Sequence, residues 1–144
     1  MRPTLLALVI VAGAVGGMTL AHHGGHGEVK VTQLSQRDIN EKLDGKAAGV
    51  TVLEVTFEPG QEDSPHRHPG PAFGYVLEGE YEFAIDDGKA KVLKAGDTFY
   101  EPTGCLHRVS RNPAEKGRTR LLAVVLHPHD TKEIVIPEKG KHKE

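Results

Sequence analysis

The chain has 144 residues, 18 basic and 20 acidic side chains for a formal charge of −2, nine histidines, one cysteine and no tryptophan. That length accommodates one domain around one core, and the near balance of charge supplies no basic excess of the kind nucleic-acid binding requires. With Cys105 as the only cysteine, an intrachain disulfide is excluded, so stability must come from the core, a bound metal or association.

In chain order, Arg2 and the amino terminus precede an apolar run from Leu5 to Val15 and then Thr19-Leu20-Ala21. Charge, apolar core and small-residue site in that order are the marks of a secretory signal peptide. The run is shorter than the roughly 20 residues of a membrane span. Residues 1–21 are therefore expected to be removed and the chain exported, to a periplasmic or extracellular location, with no membrane attachment after cleavage. An uncleaved anchor is the alternative. Cleavage after Ala21 would expose His22-His23-Gly24-Gly25-His26-Gly27, which reads either as a Cu(II)-chelating terminus or as a solvated leader. Residues 22–49 form this leader and the first elements; Gln33 to Leu43 is compatible with one short helix, while Gly45 to Gly49 is not.

From Val50 the pattern changes to strands separated by turns. Val50 to Phe57 ends at Glu58-Pro59-Gly60; Phe73 to Leu77 is followed by a break at Glu78-Gly79-Glu80. Tyr81 to Ile85 and Lys89 to Leu93 flank Asp86-Asp87-Gly88, a hairpin signal because Asp and Gly tolerate positive φ. Thr98 to Tyr100 and Cys105 to Ser110 follow, and Arg120 to Leu126 reads as a central strand because it is apolar almost throughout. Many short strands at near-regular spacing indicate an all-β double sheet, a barrel or jelly roll over residues 50–126, with 127–144 as a tail. In His127-Pro128-His129 the proline marks a strand exit rather than a ligand pair.

The chemistry lies in three histidines. His66 and His68 are two apart, so in a strand both project from one side while Arg67 faces away. His107 follows a second Pro-and-Gly turn. Imidazole is the commonest protein ligand for Zn, Cu, Fe and Ni. Read outward, Gly60, His66, His68 and Gly79 are spaced by five, one and ten residues, and Gly96, Pro102, Gly104, His107 and Asn112 follow in the second segment.

The segments PGQEDSPHRHPGPAFGYVLEGEYEF and AGDTFYEPTGCLHRVSRN resemble the two signature motifs of the cupin superfamily, and the resemblance extends over about Val50 to Leu126. It implies a double-stranded β-helix, a divalent transition metal (Fe, Mn, Ni, Cu or Zn) on His66, His68 and His107, and a twofold homodimer. The chain departs from the pattern at Ala72, where cupins with a full first motif carry a glutamate. A three-histidine site leaves the ion its whole charge and open positions for a small chelating ligand.

Ala72, Gly74 and Val76 share one face, so this wall is expected to be small and to enlarge the space beside the metal. Phe73, Tyr75 and Leu77 share the other, for sheet packing or dimer contact. Glu101 reads either as a rim carboxylate paired with Arg67 or Arg108, or as a general base or replacement ligand. Tyr100 reads as a hydrogen-bond donor to a bound substrate or as a structural tyrosine, and Cys105 as a buried inert thiol or, less simply, a ligand. Arg111, like Arg67 and Arg108, is expected to be solvated or paired. Three functions fit this pattern: a dioxygenase-like enzyme on a small chelating substrate, a non-redox isomerase with Glu101 moving the proton, and a non-catalytic metal or small-ligand module of the cell envelope.

Overall fold

The computed structural model describes residues 28–138; the expected signal peptide, the His22-His23-His26 cluster and the end of the tail lie outside these residues. Among the described residues there are ten strands: β1 (Lys30–Leu43), β2 (Lys46–Phe57), β3 (His66–Arg67), β4 (Ala72–Glu78), β5 (Glu80–Ile85), β6 (Lys91–Lys94), β7 (Thr98–Glu101), β8 (His107–Arg111), β9 (Thr119–Pro128) and β10 (Ile136–Pro137). They form two five-stranded sheets, ordered β1-β2-β9-β4-β7 and β10-β3-β8-β5-β6, with antiparallel pairing throughout. This is the double-stranded β-helix, an all-β barrel made by two sheets facing one another.

Gln33 to Leu43, compatible in sequence with a short helix, is a strand. β1 turns into β2 through Asp44-Gly45, both at positive φ (50° and 76°), the geometry of a two-residue hairpin. Register shifts between Gln33 and Ser35 and between Ile39 and Lys42 break the period-two alternation along β1, which is why the residue pattern there does not read as a strand. β9 lies between β2 and β4 as its apolar sequence implied, and it ends at Pro128.

Alternation decides what each strand sends inward. In β4, Ala72, Gly74 and Val76 are buried, while Phe73, Tyr75 and Leu77 are exposed on the outer face. The core at one end of the barrel is Val29, Phe57, Val76, Tyr81 and Leu121, with Phe83, Leu93 and Phe99 against it. The Phe99 ring fills the place beside Gly74: a Cβ on Gly74 would lie 1.9 Å from Phe99 Cζ. At Gly74 the small wall therefore makes room for an aromatic ring rather than opening space in the barrel.

His127 is buried in β9 and satisfied, with Nε2 2.9 Å from Thr51 Oγ1 and Nδ1 2.9 Å from Pro128 O. It is a core histidine. His129 is exposed, with Nδ1 2.7 Å from Asp38 Oδ1.

Candidate metal centre

β3 contains only two residues, and its pairing puts His66 directly opposite His107 of β8. His68 follows on the same side of the chain as His66. All three imidazoles are buried, and one ring nitrogen from each falls within 4.8 Å of the others.

Backbone carbonyls fix two of the rings. His66 Nδ1 donates to Ser64 O at 2.9 Å and His68 Nδ1 donates to Ile134 O at 2.5 Å, leaving both Nε2 lone pairs free. A ligand histidine held through its other nitrogen in this way has its tautomer and orientation set in advance. On His107 the Nε2 lies 3.1 Å from Tyr81 Oη, which is in turn 2.8 Å from Ser110 Oγ. With Nε2–H donating to Tyr81 and Tyr81 donating to Ser110, Nδ1 of His107 carries the free lone pair.

Glu101 is inside this group. At 3 % exposure it is no rim carboxylate, and the arginines it might have met are engaged elsewhere. Arg67 Nε donates to Glu138 at 3.0 Å, and Arg108 donates to the carbonyls of Asp86 and Gly88, both at 2.9 Å. Arg111 pairs with Glu82. Glu101 Oε2 stands 3.3 Å from His107 Nδ1 and 3.6 Å from His68 Nε2. Neither Glu101 Oε2 nor His107 Nδ1 has a hydrogen-bond partner. Two buried acceptors facing each other at that distance call for a cation or a proton between them. Three imidazoles and an adjacent carboxylate fit a divalent transition metal.

Burial, and after it the neighbouring His107, lowers the pKa of His66 from 6.5 to about 4, so its ring is neutral and ready to ligate. Burial pushes the Glu101 carboxyl up, but the imidazoles of His107, His68 and His66 outweigh it and hold the group below the usual carboxylate value, as an anion. Tyr81 is pushed well above the ordinary phenol range, mainly by burial, and stays protonated as a hydrogen-bond donor.

The remaining candidates fall outside the cluster. Tyr100 precedes Glu101 in β7 and so faces the opposite way; it is half exposed, and its ring lies 5.1 Å from Phe73 on the outer face. It borders instead a shallow cleft of about 480 Å³ beside β5 and β6. Cys105 is buried, and desolvation raises its thiol to about 11, so it remains an unreactive thiol. Tyr81 and the Ile134 carbonyl were not singled out from sequence. Tyr81 sits two residues after Gly79 in an ordinary alternating strand, and a backbone carbonyl carries no residue-type signal.

The cavity at the cluster encloses about 60 Å³. Apart from the histidines, Asp63, Glu101, Tyr81 and Ser110, its walls are apolar, and no lysine or arginine lines it among the described residues. Val135, from the segment that brings Ile134 to His68, contributes to the wall.

The family model described as the cupin domain matches residues 53–125, from the inward-facing Leu53 of β2 through both histidine segments to Val125 of β9. Germin-like protein 3-5 of Oryza sativa subsp. japonica is 36 % identical over 102 residues, 65 % of this chain and 42 % of that protein. Oxalate oxidase GF-2.8 of Triticum aestivum is 31 % identical over 96 residues, 61 % of this chain and 43 % of that protein. The chain thus spans less than half the length of these curated relatives. A double-stranded β-helix protein from Klebsiella pneumoniae subsp. pneumoniae superposes with a TM-score of 0.57 at 23 % identity, covering 83 % of this chain and 92 % of that one. A predicted oxalate decarboxylase from Thermotoga maritima gives 0.56 at 24 % identity, over 91 % and 100 %. At these identities the structural likeness is one of fold. Matched by the family model over just over half of its residues, and built from the same pair of facing sheets, this chain belongs to the cupin family.

Proposed function

We propose that this protein is an exported, mononuclear metal-dependent cupin that acts on a small chelating acid in an oxidase- or oxygenase-type reaction. The observation that carries the reading is the set of three buried histidine nitrogens within 4.8 Å of one another, two of them oriented by backbone carbonyls. His66, His68 and His107 would hold the ion. A divalent transition metal there supplies Lewis acidity and, when redox-active, a route for electrons. Relatives named as oxalate oxidases support small organic acids as the substrate class. The cavity agrees in size: about 60 Å³ is far below the roughly 300–1,000 Å³ of a drug-sized ligand pocket.

The residues around the ion have separable tasks. The Ser64 and Ile134 carbonyls hold the His66 and His68 rings. The Tyr81–Ser110 pair holds His107. Glu101 is the carboxylate that faces the His68 and His107 nitrogens, placed either to join the ion or to take a proton from a ligand at the centre. The apolar wall excludes water.

One observation favours a second reading, a non-catalytic metal or small-ligand module of the cell envelope. The cavity is tight and offers a bound acid no lysine or arginine. Oxygen uptake by the metal-loaded protein, screened against two- to four-carbon hydroxy, keto and dicarboxylic acids, separates the two. Uptake with one of them, abolished in His107→Ala, is expected; tight metal binding with no turnover of any would replace the enzyme with the binding module. Export is proposed on the Arg2, Leu5–Val15 and Ala21 pattern, and a mature amino terminus at His22 would support it. A twofold homodimer is proposed on the exposed apolar face carrying Phe73, Tyr75 and Leu77.

A further inference from the structure

Ala72 removes a carboxylate from the position where the first motif of the family carries one, and the sheet register shows what stands there instead. Ala72 of β4 is directly paired with Glu101 of β7. Both side chains point into the barrel, at 1 % and 3 % exposure. Directly opposed residues in an antiparallel pair have Cβ atoms roughly 4.5–5.5 Å apart. A longer side chain leaving from 101 therefore reaches the volume that one leaving from 72 would fill. The alanine methyl is also what leaves room for it: glutamates at both positions would set two buried carboxylates side by side.

The distances suit coordination. Donors held by one ion at roughly 2.0–2.2 Å stand about 2.8–3.6 Å from their neighbours in octahedral or tetrahedral arrangements. Glu101 Oε2 lies 3.3 Å from His107 Nδ1 and 3.6 Å from His68 Nε2. That oxygen is buried, and the His107 and His68 nitrogens facing it at 3.3 and 3.6 Å do not meet it in good hydrogen-bond geometry. A buried anionic oxygen without a partner is among the most costly groups a protein can carry. No lysine or arginine lines the cavity among the described residues, so no fixed side-chain cation offsets it.

We infer that Glu101 is the fourth protein ligand of the metal, a carboxylate transferred across the sheet from β4 to β7, so that the site is three histidines and one glutamate rather than three neutral ligands. The inference rests on the reading that His66, His68 and His107 hold a metal. A divalent ion bound this way keeps one net positive charge instead of two. The added carboxylate favours harder ions such as Mn(II) more than three imidazoles alone do. It also removes one open position, leaving at most two for a ligand in octahedral geometry.

The test is metal binding, not turnover. Mn(II) and Co(II) affinities are measured by chelator competition on the full chain, together with the Co(II) absorption spectrum, for wild type, Glu101→Gln, His66→Ala and the double variant Ala72→Glu/Glu101→Ala. Glu101→Gln keeps the shape and removes the charge. It is expected to weaken Mn(II) binding by at least about tenfold, as loss of a supporting group alone weakens such sites roughly 10–100-fold, and to shift the Co(II) bands. The double variant should recover most of the affinity by returning the carboxylate to β4. Glu101→Gln binding within tenfold of wild type with an unaltered Co(II) spectrum, while His66→Ala has lost the metal, would overturn the ligand assignment and leave the three-histidine site standing. Equal and weak uptake by wild type and His66→Ala would instead remove the metal site itself.

Discussion

His66 carries a proton on Nδ1 toward Ser64 O and, through burial and the proximity of His107, titrates at about 4 instead of 6.5. In the unfolded chain the same ring takes up a second proton near 6.5. Folding then has to expel that proton at any pH between the two values, so the metal-free protein is at full stability above about 6.5 and loses stability as pH falls towards 4. The loss is on the order of 3 kcal/mol. Glu101 adds in the same direction at lower pH, because its folded carboxyl lies below the ordinary value and the stability this gives disappears as the group is protonated. Urea midpoints of the metal-free protein should fall between pH 7.5 and pH 4.5, and His66→Asn should flatten the dependence; an equal slope in wild type and variant would contradict it. At this scale the histidines were legible because two-residue spacing forces a common face. Glu101 was ambiguous because Pro102 fixes its backbone as extended without saying which face it takes. Tyr100 read either as a substrate donor or as a structural tyrosine, and alternation in β7 places its side chain on the outer face.

The element that most affects the site outside the two motifs is the C-terminal strap. β10 pairs with β3, setting Ile136 opposite Arg67 and Pro137 opposite His66. Glu138 N donates to Pro65 O at 2.9 Å, and the Glu138 carboxylate meets Arg67 Nε at 3.0 Å. The strap thereby holds the Ile134 carbonyl on His68 and Val135 in the cavity wall. Removing residues 132–144 is expected to keep the β-barrel, which the strap joins through only two paired residues, and to weaken metal binding roughly 10–100-fold by freeing His68. Unchanged affinity in the truncated chain would show that the strap plays no part in orienting the ligand. None of this was visible in sequence, where residues 127–144 read as a tail, because the His68 and Pro65 contacts run through backbone atoms and the Arg67–Glu138 pair spans 71 positions. β1 was missed for a different reason. Its bulges destroy the alternation, and the Asp44-Gly45 turn that would have revealed the hairpin stands beside a stretch compatible with a helix. The strands from β2 to β9 were legible because their turns carry Gly, Pro and Asp where the backbone needs them.

Across the described residues, the outer face of the β1-β2-β9-β4-β7 sheet carries a cluster of exposed apolar side chains on β4 and β7. Phe73, Tyr75, Leu77 and Tyr100 are each between 39 % and 50 % exposed, and the Phe73 and Tyr100 rings pack together on neighbouring strands. Two such faces meeting about a twofold axis would bury them without disturbing the buried histidine cluster, which lies on the inner side of this sheet, against β3 and β8 of the other. Sedimentation of the wild-type protein should give twice the chain mass, and Tyr75→Lys/Leu77→Lys should give one chain mass with metal binding retained. A monomeric wild type would contradict the dimer. Alternate residues of β4 and β7 carry an exposed apolar face and the cavity wall, so substitutions on one face should leave the other intact.

The central claim, that His66, His68 and His107 hold one divalent ion inside the barrel, is tested most directly by metal stoichiometry. Elemental analysis is made on chain lacking residues 22–27, so that His22, His23 and His26 cannot contribute, for wild type, His66→Ala and His107→Ala. Near one equivalent of transition metal per chain is expected in the first and little in the two variants, with the β-sheet circular dichroism of all three alike. Equal metal in all three, or none in the first, would contradict the assignment.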